Sequence, residues 1–264
     1  MSVELTLARG VEVDGTRHRE AAVGPVSGAV VDLVASQGQA LPPAARLSLL
    51  LQRCLLRLGP WEAPTLDQVR LLSVGDRDAL ALQLHGITFG DRIEGMLTCP
   101  ACSEPMDVEV SAASLLFPPD EPDGAPGLRP PTGRDLEEAA RIAAHDPAAA
   151  VRHLTRACVE EAGEAMTAEE EAEVATALAA LEPQSDLFLD LACPDCGATT
   201  QLPFDPADFL LQELDAEADA LHREVHLLAL HYHWSEREIL ELPAGKRRIY
   251  LDLLAASTTG EVPG

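Results

Sequence analysis

Two short cysteine pairs constrain this chain more than anything else in it: Cys99-Pro100-Ala101-Cys102 and Cys193-Pro194-Asp195-Cys196. Each is a C-x-x-C knuckle with proline in second place. Two such pairs are the usual ligand set of one tetrahedral structural zinc ion. Their flanks match too. Ile93 to Thr98 and Met106 to Val110 read as strands entering and leaving the first knuckle, and Leu187 to Ala192 and Thr199 to Phe204 do the same around the second. Two hairpins held on one ion make a zinc ribbon. Four cysteines fill the coordination sphere, so no position stays open for water or substrate. The bland alternatives are two unrelated reduced pairs or two disulfides. A lone C-x-x-C can also be a redox motif, but neither pair follows a βαβ pattern. About ninety residues separate the halves, so one ion would close a long loop.

The rest of the chain favours helix, because alanine and leucine dominate it. With 264 residues it can bury one generous core or two modest ones. The formal charge of −25 repels phosphate backbones and anionic lipid headgroups, and so argues against nucleic-acid and membrane partners. It complements a basic protein instead. No run is long and apolar enough to span a membrane. Met1-Ser2-Val3-Glu4 lacks the basic and apolar regions of a secretion signal, which predicts a cytoplasmic protein. Cys54 and Cys158 lie in helical contexts rich in alanine and leucine, and read as buried thiols.

Taken in order, residues 1–40 predict an N-terminal arm or short strands, with Val3 to Leu7 alternating and Gly24-Pro25 interrupting the apolar stretch from Glu20 to Val34. A helical region spans 41–92. Its first helix runs from Leu41-Pro42-Pro43 through Leu58, on the spacing of Leu47, Leu50, Leu51, Cys54, Leu55 and Leu58, and stops at Gly59-Pro60. Thr65 with Gln68 forms a capping box, and Asp76 to Leu84 is the next helix. The split ribbon occupies 93–116 and 187–204. A linker rich in proline and glycine covers 117–133 and carries Asp120, Glu121 and Asp123. A helical insertion fills 134–186, with helices from Leu136 to Ala144 and from Ala148 to Glu161, and a third opened by Thr167 and Glu170. The acidic run Glu169 to Glu171 suits that helix's first turn. The C-terminal helical region is 205–256. Asp205 caps its long helix and Pro206 takes the first helical position. Leu211, Leu214, Ala218, Leu221, Val225, Leu228 and Tyr232 form a seam buried against another helix. Ser235 and Glu238 make a capping box, with Trp234 and Ile239 at the staple positions. Residues 257–264 are expected to be a disordered tail. The predicted fold class is thus mainly α with a small β zinc ribbon (α+β).

No catalytic or cofactor-binding residue emerges beyond the ligands of one structural zinc: Cys99, Cys102, Cys193 and Cys196. His222 and His226 share a helix face, but the order His222-Arg223-Glu224-Val225-His226 lacks the glutamate directly after the first histidine that a zinc protease needs. Lys246, Arg247 and Arg248 stand out on an acidic chain. With Trp234 they are candidate partner-binding residues; the alternative is that they pair with acidic helices of the same chain.

The helical part ending in Gly90-Asp91, the two Cys-Pro-x-Cys knuckles and the insertion between them resemble the baseplate hub or hub-assembly chaperone proteins of contractile tails. These belong to T-even-like myophages and phage-tail-like contractile injection systems. The segments His233 to Leu240 and Arg247 to Leu251 are similar to a small helical module encoded among tail genes. Together the resemblances cover about Leu47 to Leu254. They imply a non-enzymatic structural or assembly protein, with tail or baseplate proteins as partners, no small-molecule substrate, and a place in the cytoplasm or in an assembled tail-like particle. The competing reading is a zinc ribbon that binds nucleic acid or assists transcription. It needs a basic, aromatic face, whereas the ribbon strands carry Glu94, Glu104, Asp107, Glu109, Asp190 and Asp195. An enzyme would need a pocket with convergent polar groups beside the ribbon.

Overall fold

A computed structural model describes residues 2–38, 40–119, 125–160 and 166–259. The chain opens with an eleven-residue strand, β1 (Val3–Val13), and an eight-residue strand, β2 (Thr16–Val23). They pair antiparallel around Asp14-Gly15. Both turn residues have positive φ, 50° at Asp14 and 73° at Gly15. Those are the angles of a two-residue type I′ turn. Helix α1 (Gly28–Gly38) comes next and buries Val31 and Val34. The segment expected as an arm or short strands is therefore a hairpin of two long strands followed by a helix. The alternation seen at Val3 to Leu7 resumes in the same phase at Val11 and Val13 after a bulge between Thr6 and Val11, and Arg9 is what interrupts it in the sequence.

The second departure is at the end of α2 (Pro43–Cys54), which stops four residues short of Leu58. Leu55–Leu58 is a strand, β3, paired with β2 and then with β4 (Trp61–Glu62). Leu55 and Leu58 suit a helical face, but in β3 they reach the same core while their backbone completes the sheet. A four-stranded sheet in the order β1-β2-β3-β4 results. With about 53% helix and 22% strand the protein is an α+β mixture, not mainly α.

Next come α3 (Leu66–Val69), with the Thr65–Gln68 capping box formed, and α4 (Val74–Thr88). The hairpin β5 (Arg92–Thr98) and β6 (Pro105–Ser111) leads to the insertion: α5 (Gly133–Ala143), α6 (Pro147–Ala157) and α7 (Ala168–Leu181). The hairpin β7 (Leu187–Ala192) and β8 (Thr199–Phe204) precedes α8 (Pro206–Tyr232), α9 (Glu236–Leu240) and α10 (Ala244–Thr259). Helix α10 runs into the expected tail through Thr259, while 260–264 lies outside the described residues. So do 120–124 of the expected linker; the helix expected to reach Glu161 stops earlier, at Ala157, with Cys158 at its end. The described parts of that linker are tied down rather than free. Phe117 N donates to Gln184 Oε1 at 2.8 Å, Arg129 N donates to the Cys158 carbonyl at 2.8 Å, and Thr132 bridges to Ser73.

One core joins both ends of the chain. Leu7, Val11, Ala21 and Val23 of the sheet meet Leu47, Leu50 and Leu51 of α2, Leu80 and Leu84 of α4, and Leu210, Leu211, Leu214, Ala218 and Leu221 of α8. The seam of α8 is thus internal over most of its length. The insertion is docked as well: Glu137 of α5 accepts from Ser48 Oγ at 2.6 Å and from Arg70 Nε at 3.0 Å. The β1 bulge has a partner of its own. Asp76 on α4 accepts the N–H groups of Ala8 at 2.8 Å and Gly10 at 2.7 Å, while Glu182 accepts Gly75 N at 2.7 Å and Ser73 Oγ at 3.0 Å and pairs with Arg9. No described helix is long and apolar enough to cross a membrane.

Candidate metal centre

Each hairpin ends in the same turn. The N–H of its first cysteine donates to the strand that leaves: Cys99 to Glu104 O and Cys193 to Ala198 O, both 2.9 Å. The carbonyl of that cysteine accepts the N–H four residues on, from Ser103 at 2.9 Å and Gly197 at 3.0 Å. Both acceptor turns need a left-handed residue. Ser103, with φ 64°, and Gly197, with φ 70°, supply it. The strands hold strict registers, Arg92 opposite Ser111 through Thr98 opposite Pro105, and Leu187 opposite Phe204 through Ala192 opposite Thr199. Leu82 of α4 packs with Ile93, Ala112 and Leu187 and fixes the bases of both hairpins to the body.

The hairpins meet at their tips. Cys99 Sγ lies 3.8 Å from Cys196 Sγ, and Cys102 Sγ lies 3.7 Å from Cys193 Sγ, each pair spanning one hairpin to the other. All four sulfurs fall within 4.8 Å of one another. A tetrahedral ion with metal–sulfur bonds near 2.3 Å places its sulfurs about 3.8 Å apart, so the two cross-pairs already stand at ligand spacing. All six cysteines are free thiols, which sets aside the two-disulfide alternative. Cys99 and Cys193 are buried beside Met106, with Leu97, Val108 and Leu191 around them, while Cys196 is exposed.

The thiols of one knuckle are held apart electrostatically. Backbone N–H groups of Cys102 and Ala101 point at the Cys99 sulfur and bring its pKa down to about 7. At Cys102 the Glu104 N–H favours the thiolate, but burial and the neighbouring sulfurs outweigh it and push that thiol up to about 12. Negative charge on one sulfur thus opposes it on the next. A divalent cation removes that conflict, so the donor set suits a metal. Cys54 and Cys158 lie elsewhere, and burial lifts them to about 12 and about 11.

The other candidate residues separate. Arg247 is only 1% exposed: its guanidinium donates to Glu224 at 2.8 Å, to Glu217 at 2.9 Å and to the Leu242 carbonyl at 2.9 Å. It clamps α10 to α8 and cannot dock a partner, which corrects the partner-binding assignment for this residue. Lys246 and Arg248 are exposed. Trp234 is half-buried, stacked on Tyr232 at 4.8 Å and edge-on to Tyr250 at 4.9 Å. His222 lies 3.7 Å from Asp32, and His226 is exposed. Among the described residues the four cysteines are the one group of three or more His, Cys, Asp or Glu close enough to share an ion.

Sequence reasoning missed the buried polar groups of α4. Asp76, Arg77, Asp78 and His85 are all buried there. Burial lifts the Asp76 carboxyl to about 6 despite its backbone donors, and it lowers the His85 imidazole. The signal was present in the run Asp76-Arg77-Asp78, three charges in succession on a helix also expected to bury leucines, so some charge had to turn inward.

The chain matches no protein-family model, curated protein or solved structure.

Proposed function

We propose that this protein is a non-enzymatic scaffold for protein assembly, with Cys99, Cys102, Cys193 and Cys196 holding one structural zinc ion. The observation that carries this reading is the meeting of two matched knuckles at 3.8 and 3.7 Å between sulfurs. Four thiolates complete a tetrahedral zinc and leave it no open position for chemistry. Its task is then mechanical: it fixes two hairpin tips that the rest of the chain holds only at their bases.

The surface around the ion supports a protein partner. Glu94, Glu104, Asp107, Glu109, Asp190 and Asp195 are all exposed on the hairpins, and Arg92, among them, is paired with Glu94 and Glu109. Such a face repels nucleic acid and attracts a basic protein. Met96 and Phe188, 72% and 50% exposed, add apolar contact area. By its resemblance to baseplate hub and hub-assembly proteins, we place the scaffold in a contractile tail or contractile injection system.

Quantitative mass spectrometry of sedimented particles from the native host, compared with the soluble pool, tests that setting. Fixed stoichiometry with sheath and tube proteins makes it a component, and association with tail proteins in the soluble pool alone makes it an assembly chaperone. Recovery with no tail protein in either fraction removes the contractile-tail setting and leaves the metal-stapled scaffold.

A further inference from the structure

Two large cavities flank α4, and they differ in one respect. In the first, about 450 Å3 in volume, the acidic groups are Asp76 and Glu182, and both already accept several donors from the protein. The second, about 640 Å3, lies where α2, α5, the base of the β7–β8 hairpin and the start of α8 surround the first turns of α4. Its size falls within the roughly 300–1,000 Å3 of ordinary ligand pockets. Asp78 lines it and is only 7% exposed. Its carboxylate accepts no side-chain or backbone hydrogen bond among the described residues. The adjacent Arg77 offers it charge but no hydrogen bond: its two terminal nitrogens donate to Ser48 Oγ at 3.0 Å and to the Ala44 carbonyl at 2.8 Å. A buried carboxylate with no donor is costly, and one that opens onto a cavity is a place for a donor to come from outside.

The rim carries the same sign. Asp186, Asp205 and Asp208 line the mouth and are exposed, so four carboxylates face one guanidinium. Among the described residues no three carboxylates converge within ligand distance of a single ion, so the arrangement does not suit a bare divalent cation. The walls between the charges are aliphatic, from Leu47, Leu136, Ala140 and Leu187. We propose that this cavity binds an alkylammonium or guanidinium group on an aliphatic stem, with Asp78 at its floor receiving the charged head. A lysine or arginine side chain of a protein partner and a free polyamine share that chemistry. The site goes beyond the scaffold reading and stands without it, since none of its residues is a cysteine ligand.

The test uses the full-length, zinc-loaded protein and amide-detected NMR titration. The probes are Nα-acetyl-lysine N-methylamide, its norleucine counterpart with the same stem and no charge, and spermidine. The lysine amide or spermidine should shift the amides of Asp78, Asp186 and Ala207 saturably, with the norleucine amide at least tenfold weaker. Asp78→Asn should weaken the cationic probe at least tenfold while Tm holds or rises, because burial already disfavours the charge that the substitution removes. Asp186→Asn, on the rim, should weaken it about threefold and guards against a misfolded Asp78 variant. Saturable binding of the lysine amide alone identifies a protein side chain as the occupant, and binding of spermidine alone identifies a polyamine. Equal binding of the norleucine amide, unchanged binding by Asp78→Asn, or no response to either cation overturns the site.

Discussion

Arg247 shows how one residue's role depends on the helix it faces. Between Lys246 and Arg248 it reads as part of a basic surface patch, yet it alone is buried, fastened to Glu217 and Glu224. Nothing in the triplet distinguishes the three. What decides is the rotation of α10 against α8, which no local pattern contains. Arg247→Ala strands two part-buried carboxylates and should cost about 3–5 kcal/mol, measurable by urea unfolding, whereas Arg248→Ala should stay within about 0.5 kcal/mol. Asp76 gives a second test. Burial raises its folded pKa to about 6, above the usual 3.8. The folded state therefore favours the neutral acid, so the stabilising contribution is whole below about pH 4 and is lost as pH rises through about 6. Asp76→Asn cannot ionise, so its stability should gain on the parent protein over that window. A difference that stays flat from about pH 4 to 7 would show that the N–H groups of Ala8, Arg9 and Gly10 offset the burial completely.

Among the elements, those marked by strong local chemistry were legible and those marked only by distant pairing were not. The knuckle strands, the capping boxes at Thr65, Thr167 and Ser235, and the Asp205-Pro206 start of α8 all lie within a residue of where the sequence places them, because each is decided within a few residues. The N-terminal strands were expected only in part, and their length and pairing were missed for a different reason. Asp14-Gly15 between apolar alternations is a strong hairpin signal, but Arg9 and Gly10 interrupt the alternation between Leu7 and Val11 and mask it. Leu55 to Leu58 continues a helical period faithfully, and only the waiting edge of β2 turns it into strand. Gly10 has φ +67°, and a Cβ there would lie 2.0 Å from the His18 carbonyl oxygen. Gly10→Ala should therefore cost about 3 kcal/mol, read as a fall in Tm with the α8 signal and the sheet melting together.

At the scale of the whole molecule the cysteine cluster is a tie between positions 91 and 97 residues apart. Closing a loop of that size removes entropy from the unfolded chain worth about 4–5 kcal/mol in the disulfide analogy. Removal of metal by a strong chelator should lower Tm accordingly, and readdition of zinc should restore it. Maleimide should then label four of the six thiols in the chelated native protein, with Cys54 and Cys158 protected by burial. Labelling of all six would mean that the body opens with the hairpins, and labelling of none would mean that the cluster does not depend on metal.

That separation has a consequence in time. A ribosome adds about 5–20 residues per second, so roughly 5 to 20 s pass between the emergence of Cys102 and that of Cys193. Leu210 to Leu221, which close the core over Leu7 and Val11, follow later still. On the proposed zinc reading, the nascent chain therefore holds half a coordination shell and an open hydrophobic face together until its last quarter arrives. An ion captured early by Cys99 and Cys102 would have two sites left to fill, and whatever thiol first reached it would decide whether the chain closes on itself or on a neighbour.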